Sequence, residues 1–112
     1  MKKIEAIIRP NKLDSVRQAL IAAGTTGLMV TKIEGHGSQK GLTKHFRGRD
    51  YTVDLLPKSK IEVIVKDSEV DNIVEVISTT ARTGEIGDGK IFVYPAETSI
   101  RIRTGEKGEG VI

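Results

Sequence analysis

The stretch KIEVIVKDSEVDNIVEVISTTARTGEIGDGKIFVYP, residues 60–95, contains a strand pattern, a helix pattern and a second strand pattern in succession. Apolar and polar residues alternate over 60–66, which is typical of a strand with one buried face. From the N-cap candidate Ser68 to Gly84, apolar residues recur at helical spacing, and "KIFVY" then predicts a strand that Pro95 ends. The predicted core positions are Ile61, Val63 and Val65 on the first strand and Val70, Ile73, Val74, Ile77 and Ala81 on the helix.

The N-terminal part of the chain shows a related order. "KKIEAII", residues 2–8, predicts a strand, an amphipathic helix runs from beyond Pro10 to Gly24, and "LMVTKIE", residues 28–34, predicts another strand. The apolar faces comprise Ile4, Ala6 and Ile8 on the strand and Leu13, Val16, Leu20 and Ile21 on the helix. The complete order is βαββαβ, the ferredoxin-like α+β fold, in which two helices cover one face of a four-stranded antiparallel sheet. "SIRIR", residues 99–103, predicts a short additional strand.

The composition narrows the class of protein. A chain of 112 residues predicts a single domain, and its net charge of +3 is mild for a nucleic-acid binder. The absence of cysteine excludes disulfides, thiolate nucleophiles and cysteine zinc sites. The apolar stretch before Arg9 is too short for a signal peptide or a membrane span, so we expect a cytoplasmic protein.

Two features of the predicted fold call for an explanation. "GSQKGLTKHFRGRDYTVD", residues 37–54, joins the second and third predicted strands as an oversized hairpin connection. It has no hydrophobic repeat that would fold it. Long loops without structure in compact domains are usually functional. The second feature is the sheet face without helices, which we expect to be apolar and therefore buried against other subunits.

Two basic motifs predict an anion site. "GEIGDGK", residues 84–90, has the glycine and lysine spacing of a Walker A loop, but Ile91 replaces the Mg²⁺-binding Ser or Thr and the loop joins a helix to a strand. Its glycines can still expose N–H groups beside Lys90, although a helix C-cap followed by a glycine turn explains them equally. Arg101 and Arg103 would project from one side of the predicted "SIRIR" strand, or be solvated edge residues. Together the motifs favour a nucleotide phosphate site.

Catalytic chemistry has little support. His36 and His45 have no Ser, Asp or Glu at a recognisable triad spacing, and the carboxylates are scattered along the chain. We therefore expect neither a nucleophile with its base nor a histidine metal site.

Three segments resemble the PII nitrogen-signalling proteins, and the likeness extends over essentially the whole chain. They are "GSQKGLTKHFRGRDYTVDLLPK", "ARTGEIGDGKIFV" and "IRIRTGE". The resemblance implies one PII-like domain over 1–112 that forms a homotrimer, with the sheets turned inwards and nucleotide sites between neighbours. In the family's terms the T-loop is about 37–55, the B-loop about 82–90 and the C-loop about 101–112.

The resemblance also implies a non-enzymatic sensor in which ATP and ADP compete for one site and 2-oxoglutarate binds beside ATP. The matching nucleotide-site positions are Gly37, Ser38, Gln39, Ile64, Gly87, Asp88, Gly89, Lys90, Arg101 and Arg103, the two arginines coming from a neighbouring subunit. The matching 2-oxoglutarate positions are Gln39, Lys40, Gly41, Lys58 and Gly87. Gln39 would bind a Mg²⁺ that also contacts the phosphates and the oxo-acid.

The resemblance also implies how the protein would pass on its signal, through covalent modification and through binding to partner proteins. Tyr51 matches the residue that a nucleotidyltransferase uridylylates or adenylylates, and Arg47 would enter the pore of an ammonium channel, bringing the cytoplasmic protein to the membrane. Other partners would be enzymes and regulators of nitrogen assimilation. Two positions depart from many relatives: Ser38 replaces an arginine and Met29 replaces a threonine.

Two other functions are compatible with part of the sequence. A ferredoxin-like RNA-binding module would use Phe92 and Tyr94 on one strand face, although the RNP1 pattern is absent. A weak ATPase would place ATP beside Lys90, although no residue is evidently placed to activate water.

Overall fold

The computed structural model describes residues 1–36 and 55–112 in full, and residues 42–46 and 49–53 as backbone strands only. The elements in order are β1 (Lys2–Ile8), α1 (Leu13–Ala22), β2 (Met29–Gly35), β3 (Leu42–Phe46), β4 (Arg49–Val53), β5 (Leu56–Val65), α2 (Val70–Ala81) and β6 (Lys90–Pro95). Within the described ranges, no helix has the length and apolar character needed to cross a membrane.

The main sheet is antiparallel, with four strands in the order β2-β5-β1-β6. The predicted ferredoxin-like fold is therefore confirmed. Ile4, in the middle of β1, is paired with Val63 on one side and Val93 on the other. Strands β2 and β5 form the predicted hairpin, and their ladder ends at the Gly35–Leu56 pair, where the long connection begins and ends.

The long connection contains two strands, so the expectation that nothing in 37–54 would fold is wrong. β3 and β4 form their own antiparallel pair, from Leu42 opposite Val53 to Phe46 opposite Arg49. The ladder is built from backbone hydrogen bonds and needs no apolar stripe, and "YTV" in β4 consists of good strand formers.

The core lies between one sheet face and the two helices. Its fully buried members include Ile4, Ile8, Val16, Leu20, Ile61, Val63, Ile73 and Ile77. The alternating strand faces and the stripe of α2 are confirmed by this burial. Ile21 is an exception, because it is 61% exposed. It lies about 100° further round the helix axis than Leu20, which places it outside the buried stripe.

The helix ends are only partly as predicted. Gly24 follows the C-cap residue of α1 at φ +89, and its N–H donates to the carbonyl oxygen of Ile21 at 3.0 Å. Ser68 is not the N-cap of α2, because a 3₁₀ turn over Asp67–Glu69 precedes the helix and Glu69 takes the cap position.

The sheet face without helices, called here the open face, is charged at its centre, so the expectation of an apolar face is wrong there. The register places Glu5 opposite Glu62, and two lysines separate these carboxylates. Lys3 Nζ lies 3.1 Å from Glu62, and Lys60 Nζ lies 3.6 Å from Glu62 and 3.9 Å from Glu5. Their hydrogen bond raises the pKa of Lys3 and lowers the pKa of Glu62. Opposite charges across strands thus stabilise the sheet.

"SIRIR" is not a strand. Ile100 forms an isolated bridge with Lys107, and residues 101–104 form a turn instead of continuing the ladder. The turn closes when the N–H of Gly105, at φ +74, donates to the carbonyl oxygen of Arg101 at 2.7 Å. The two arginines therefore do not project from one side of an extended strand.

Candidate functional site

A cavity of about 500 Å³ lies where the open face meets the glycine loop, the segment 84–90. We call it the loop cavity. Its wall is formed by β1, the adjoining ends of β2 and β5, the glycine loop and β6. The lining residues are Ile7, Gly35, His36, Leu56, Lys58, Glu85, Ile86, Gly87, Asp88, Gly89, Lys90 and Phe92.

The glycine loop follows a path that requires glycine at its closest approach to the sheet. Gly84, Gly87 and Gly89 all have φ near +90 to +104. A Cβ atom on Gly89 would lie 1.7 Å from the carbonyl oxygen of Ile7. Only glycine fits there, and its backbone is held against the end of β1.

The Asp88 carboxylate fastens the loop from within. It accepts hydrogen bonds from the N–H of Thr83 at 2.8 Å, from the N–H of Gly84 at 2.9 Å and from the Thr83 hydroxyl. Arg9 Nε donates to the same carboxylate at 3.1 Å. These donors, the Thr83 hydroxyl foremost, hold the pKa of Asp88 well below its usual range. The carboxylate is occupied within the loop, so any contribution of Asp88 to anion binding comes from its backbone N–H.

Lys58 joins β5 to the glycine loop. Its Nζ donates to the carbonyl oxygen of Gly87 at 2.8 Å. Burial lowers the pKa of Lys58, the positive charge of Arg9 lowers it further, and Asp88 opposes them. Lys58 and Gly87, two of the positions predicted for 2-oxoglutarate, are thus in direct contact at the cavity wall.

The cavity can hold an anion. Lys58 and Lys90 are the lysines among its described lining residues, and the backbone of the glycine loop lies beside them. The described lining contains two carboxylates. Asp88 is paired with Arg9 and accepts hydrogen bonds from the loop, so Glu85 is the one that would repel an anion. Apolar side chains such as Ile7 and Phe92 complete the wall, so the site combines cationic groups with apolar surface.

Three predicted residues lie elsewhere in the same chain. Arg101 and Arg103 are not in the lining, and Arg101 donates to Glu106 at 3.2 Å. Ile64 lines a different cavity, of about 250 Å³, together with the C-terminal Ile112. Their participation would require another copy of the chain.

Several predicted residues lie outside the described part of the chain. They are Gly37, Ser38, Gln39, Lys40, Gly41 and Arg47. Tyr51 belongs to β4, of which only the backbone is described, and Met29 is 52% exposed on β2. Among the described residues, no cluster of three or more His, Asp or Glu could hold a metal ion. The role of Gln39 towards Mg²⁺ stays a prediction.

Sequence reasoning missed Arg9 and Thr83, which hold the loop in shape. One signal could have found Arg9. Ile7 is paired with Lys90, so continuing that antiparallel ladder by two residues brings Arg9 opposite Asp88. The order of the elements along the chain was predicted but the strand register was not, and the contact depends on the register.

Comparisons with known proteins agree with this architecture. The family model described as "Nitrogen regulatory protein P-II" matches residues 1–106. The "Nitrogen regulatory protein P-II" of Pasteurella multocida is 58% identical over 112 residues, which is 100% of both chains. The "Nitrogen regulatory protein P-II 2" of Methanothermobacter thermautotrophicus is 54% identical over 112 residues, 100% of this chain and 97% of the other. The protein of the first name from Nostoc punctiforme is 58% identical over 107 residues, 96% of each chain.

Proposed function

This chain belongs to the nitrogen regulatory protein P-II family, and from that membership we propose that it transduces a nitrogen signal by sensing ATP, ADP and 2-oxoglutarate. The observation that carries the proposal is the loop cavity. It combines two ammonium groups, a glycine loop at positive φ and the base of the long connection in one place. A ligand bound there would contact both the rigid sheet and the first residues of that connection.

The phosphates of the nucleotide would lie along the glycine loop. Backbone N–H groups of Gly87, Asp88 and Gly89 would donate to them, and Lys90 would add a positive charge. The fixed position of Gly89 against Ile7 supports this assignment, because a loop that is already shaped loses little entropy when a ligand binds.

The oxo-acid would bind beside Lys58. Its ammonium already lies at the cavity wall, and burial strengthens its attraction for a carboxylate because water screens the charge less. Gln39, Lys40 and Gly41, at the start of the long connection, would complete the pocket, with Mg²⁺ held by Gln39. The metal would offset the repulsion between the phosphates and the dicarboxylate.

A homotrimer would complete the nucleotide site. Arg101 and Arg103 lie away from the loop cavity of their own chain, so they could reach a nucleotide only from a neighbour. The open face also leaves Phe92 and Tyr94 each 43% exposed, as a subunit contact would require. Ile64 would contact the adenine through its backbone.

The long connection would be the output segment. Its ends adjoin the cavity at Gly35 and Leu56, so a bound ligand would shift the population of its conformations. Arg47 and Tyr51 would then engage an ammonium channel, a nitrogen-assimilation enzyme or regulator, or a modifying nucleotidyltransferase.

Catalysis and RNA binding receive no support from the described site. An ATPase would need a base for the attacking water, and the Asp88 carboxylate in the glycine loop is engaged by Arg9 and by the loop donors. Phe92 and Tyr94 share the open face with ring centroids 6.5 Å apart, but Lys3 and Lys60 on that face are already engaged by Glu5 and Glu62, which leaves them less free to bind phosphates.

Calorimetric titration tests the proposal. We expect ATP and ADP each to bind and to displace one another, and 2-oxoglutarate to bind only when ATP and Mg²⁺ are present. A protein that binds neither nucleotide, or that binds 2-oxoglutarate equally well with ADP, would contradict it.

A further inference from the structure

A second cavity, of about 320 Å³, lies on the helix-covered side of the sheet, across the glycine loop from the first. We call it the helix-side cavity. Ile8, Ile77 and Ile91 supply apolar surface, and the C-terminal end of α2 contributes Ser78 and Arg82. Its volume is at the lower end of the range for small-molecule sites.

The charge of this cavity is positive. Three of its lining residues are charged: Arg82, Lys90 and Asp88. The Asp88 carboxylate is already satisfied by Arg9 and by the loop donors, so it offers little repulsion to an anion. Arg82 lies beside a wall that is otherwise largely apolar, whereas the Lys90 side chain starts from the open face, which Lys90 shares with its partner Ile7 and with Phe92.

Arg82 is held at the cavity by its own helix. Its guanidinium donates to the Ser78 hydroxyl at 2.9 Å, one turn earlier on α2. This bond uses one of the five guanidinium N–H donors and leaves the others for a carboxylate. A planar fork of this kind matches carboxylate geometry better than an ammonium does.

We propose that the helix-side cavity binds a small amphipathic carboxylate, distinct from the ligands of the loop cavity. Its aliphatic chain would pack on Ile77 and Ile91, and its carboxylate would accept hydrogen bonds from Arg82. A purely polar anion would leave the apolar surface of this lining without a contact. An uncharged alkane would leave the Arg82 guanidinium without a carboxylate. This site goes beyond the proposed sensing function.

The two cavities share a wall. Asp88, Gly89 and Lys90 line both, and Gly89 cannot move towards β1 because the Ile7 carbonyl oxygen blocks it. Two anions on opposite sides of this wall would repel one another. Given a nucleotide in the loop cavity, which rests on the proposed function, the carboxylate should bind more weakly, and by reciprocity it should weaken the nucleotide.

The test uses hexanoate, hexylamine and hexanol, which share a chain length and differ in the polar end. Calorimetry and the methyl resonances of Ile77 and Ala81 report binding to the full chain without nucleotide. We expect hexanoate to bind at millimolar concentration and to shift both resonances, and hexylamine and hexanol to bind much more weakly. Equal binding of all three, or no hexanoate binding in that range, would overturn the proposal.

Arg82→Gln tests the carboxylate contact. Loss of a charge-assisted hydrogen bond should weaken hexanoate by about tenfold or more. Arg17→Gln is the control, since Arg17 is also an exposed arginine with a side-chain partner, Asp14 at 3.3 Å, and it is not in the cavity lining. Arg82 is exposed, so its variant should keep the wild-type melting temperature. Hexanoate binding that is unchanged in Arg82→Gln contradicts the assignment.

Ala81→Leu tests the cavity itself, because the larger side chain would occupy the apolar space. We expect hexanoate binding to disappear with the fold retained by circular dichroism; if this variant unfolds, Arg82→Gln and the three probes decide. Titration of ATP into the same wild-type sample separates the two proposals. ATP binding without hexanoate binding defeats only this inference, and the reverse result defeats only the nucleotide site and the coupling to it.

Discussion

Arg9 and Asp88 are 79 positions apart in the sequence and form an ion pair of 3.1 Å that fastens the glycine loop to the end of β1. Arg9 also donates to the carbonyl oxygen of Ile86 at 2.9 Å, so one guanidinium contacts the loop at two points. The loop cavity owes its shape to this contact and to the Thr83 donors on the same carboxylate.

Asp88→Asn should lower the melting temperature near neutral pH, because the amide cannot accept all four donors. The pKa of Asp88 is depressed in the folded state, so its contribution is present above the ordinary aspartate pKa near 4 and is lost as the pH falls below it. The difference in melting temperature between wild type and variant should therefore be constant from pH 5 to 7 and shrink below about pH 4.

Asp14→Asn is the control, since Asp14 is exposed and pairs only with Arg17 among its described contacts. We expect a much smaller change there. A difference for Asp88→Asn that grows on acidification would contradict the account of the loop.

Gly89→Ala should destabilise the fold strongly. The new Cβ would overlap the Ile7 carbonyl oxygen, and φ +100 is unfavourable for alanine. Gly84→Ala shares the positive φ but has open space around the position, so it should cost only about 1–2 kcal/mol. Urea unfolding measures both, and the contact explanation fails if the two variants are equally stable.

Lys58→Met should weaken 2-oxoglutarate binding tenfold or more, because a charged hydrogen bond worth about 1.5–3 kcal/mol is lost. The affinity for ATP should change less. The ammonium that contacts Gly87 O is lost in this variant. Lys60→Met is the matched control, two residues along the same strand and face but paired with Glu5 and Glu62 instead. Calorimetry with ATP and Mg²⁺ present compares them; equal losses would show that the charge of the strand matters and not the position.

Ser38→Arg should tighten ATP binding by about 1–3 kcal/mol, because it restores a charged hydrogen bond that many relatives have. Calorimetry of both proteins under identical salt gives the comparison. Unchanged ATP affinity would mean that another group already supplies the contact.

Ile77→Ala should cost about 2–5 kcal/mol in the free energy of unfolding, since Ile77 is fully buried in the core. Ile21→Ala, on the other helix, should cost at most about 0.5 kcal/mol, because that side chain is largely exposed. The pattern of apolar residues predicted both as core positions. A larger stability loss for Ile77→Ala than for Ile21→Ala would show that burial, and not the sequence pattern, determines the contribution of each residue.

The regular part of the fold was predictable because local spacing determines it. Alternation placed Ile4, Ala6 and Ile8 on the buried face, and helical spacing placed Ile73 and Ile77 there. The turn at Arg101 was not predictable in the same way. "SIRIR" alternates like a strand, yet among the described residues only Lys107 pairs with it, in an isolated bridge to Ile100, and Gly105 reverses the chain.

In the candidate site, too, the features set by neighbouring residues were predictable and the contacts between distant residues were not. Glycine spacing marked the loop and its lysine, since those residues are adjacent in the sequence. Arg9 and Thr83 could not be assigned without the strand register and the path of the loop, which depend on distant parts of the chain. The charged centre of the open face was also missed, because pairing Glu5 with Glu62 becomes visible only in the register.

The ladder between β1 and β6 has one more consequence. Removing one residue between Ile4 and Arg9 would put these two residues out of register with one another, so either Ile4 would turn towards solvent or Arg9 would move out of reach of Asp88. A single deletion there could not preserve both the core and the loop cavity. We therefore expect β1 to tolerate substitutions on its open face far better than any change in its length, which protein engineering of this chain should respect.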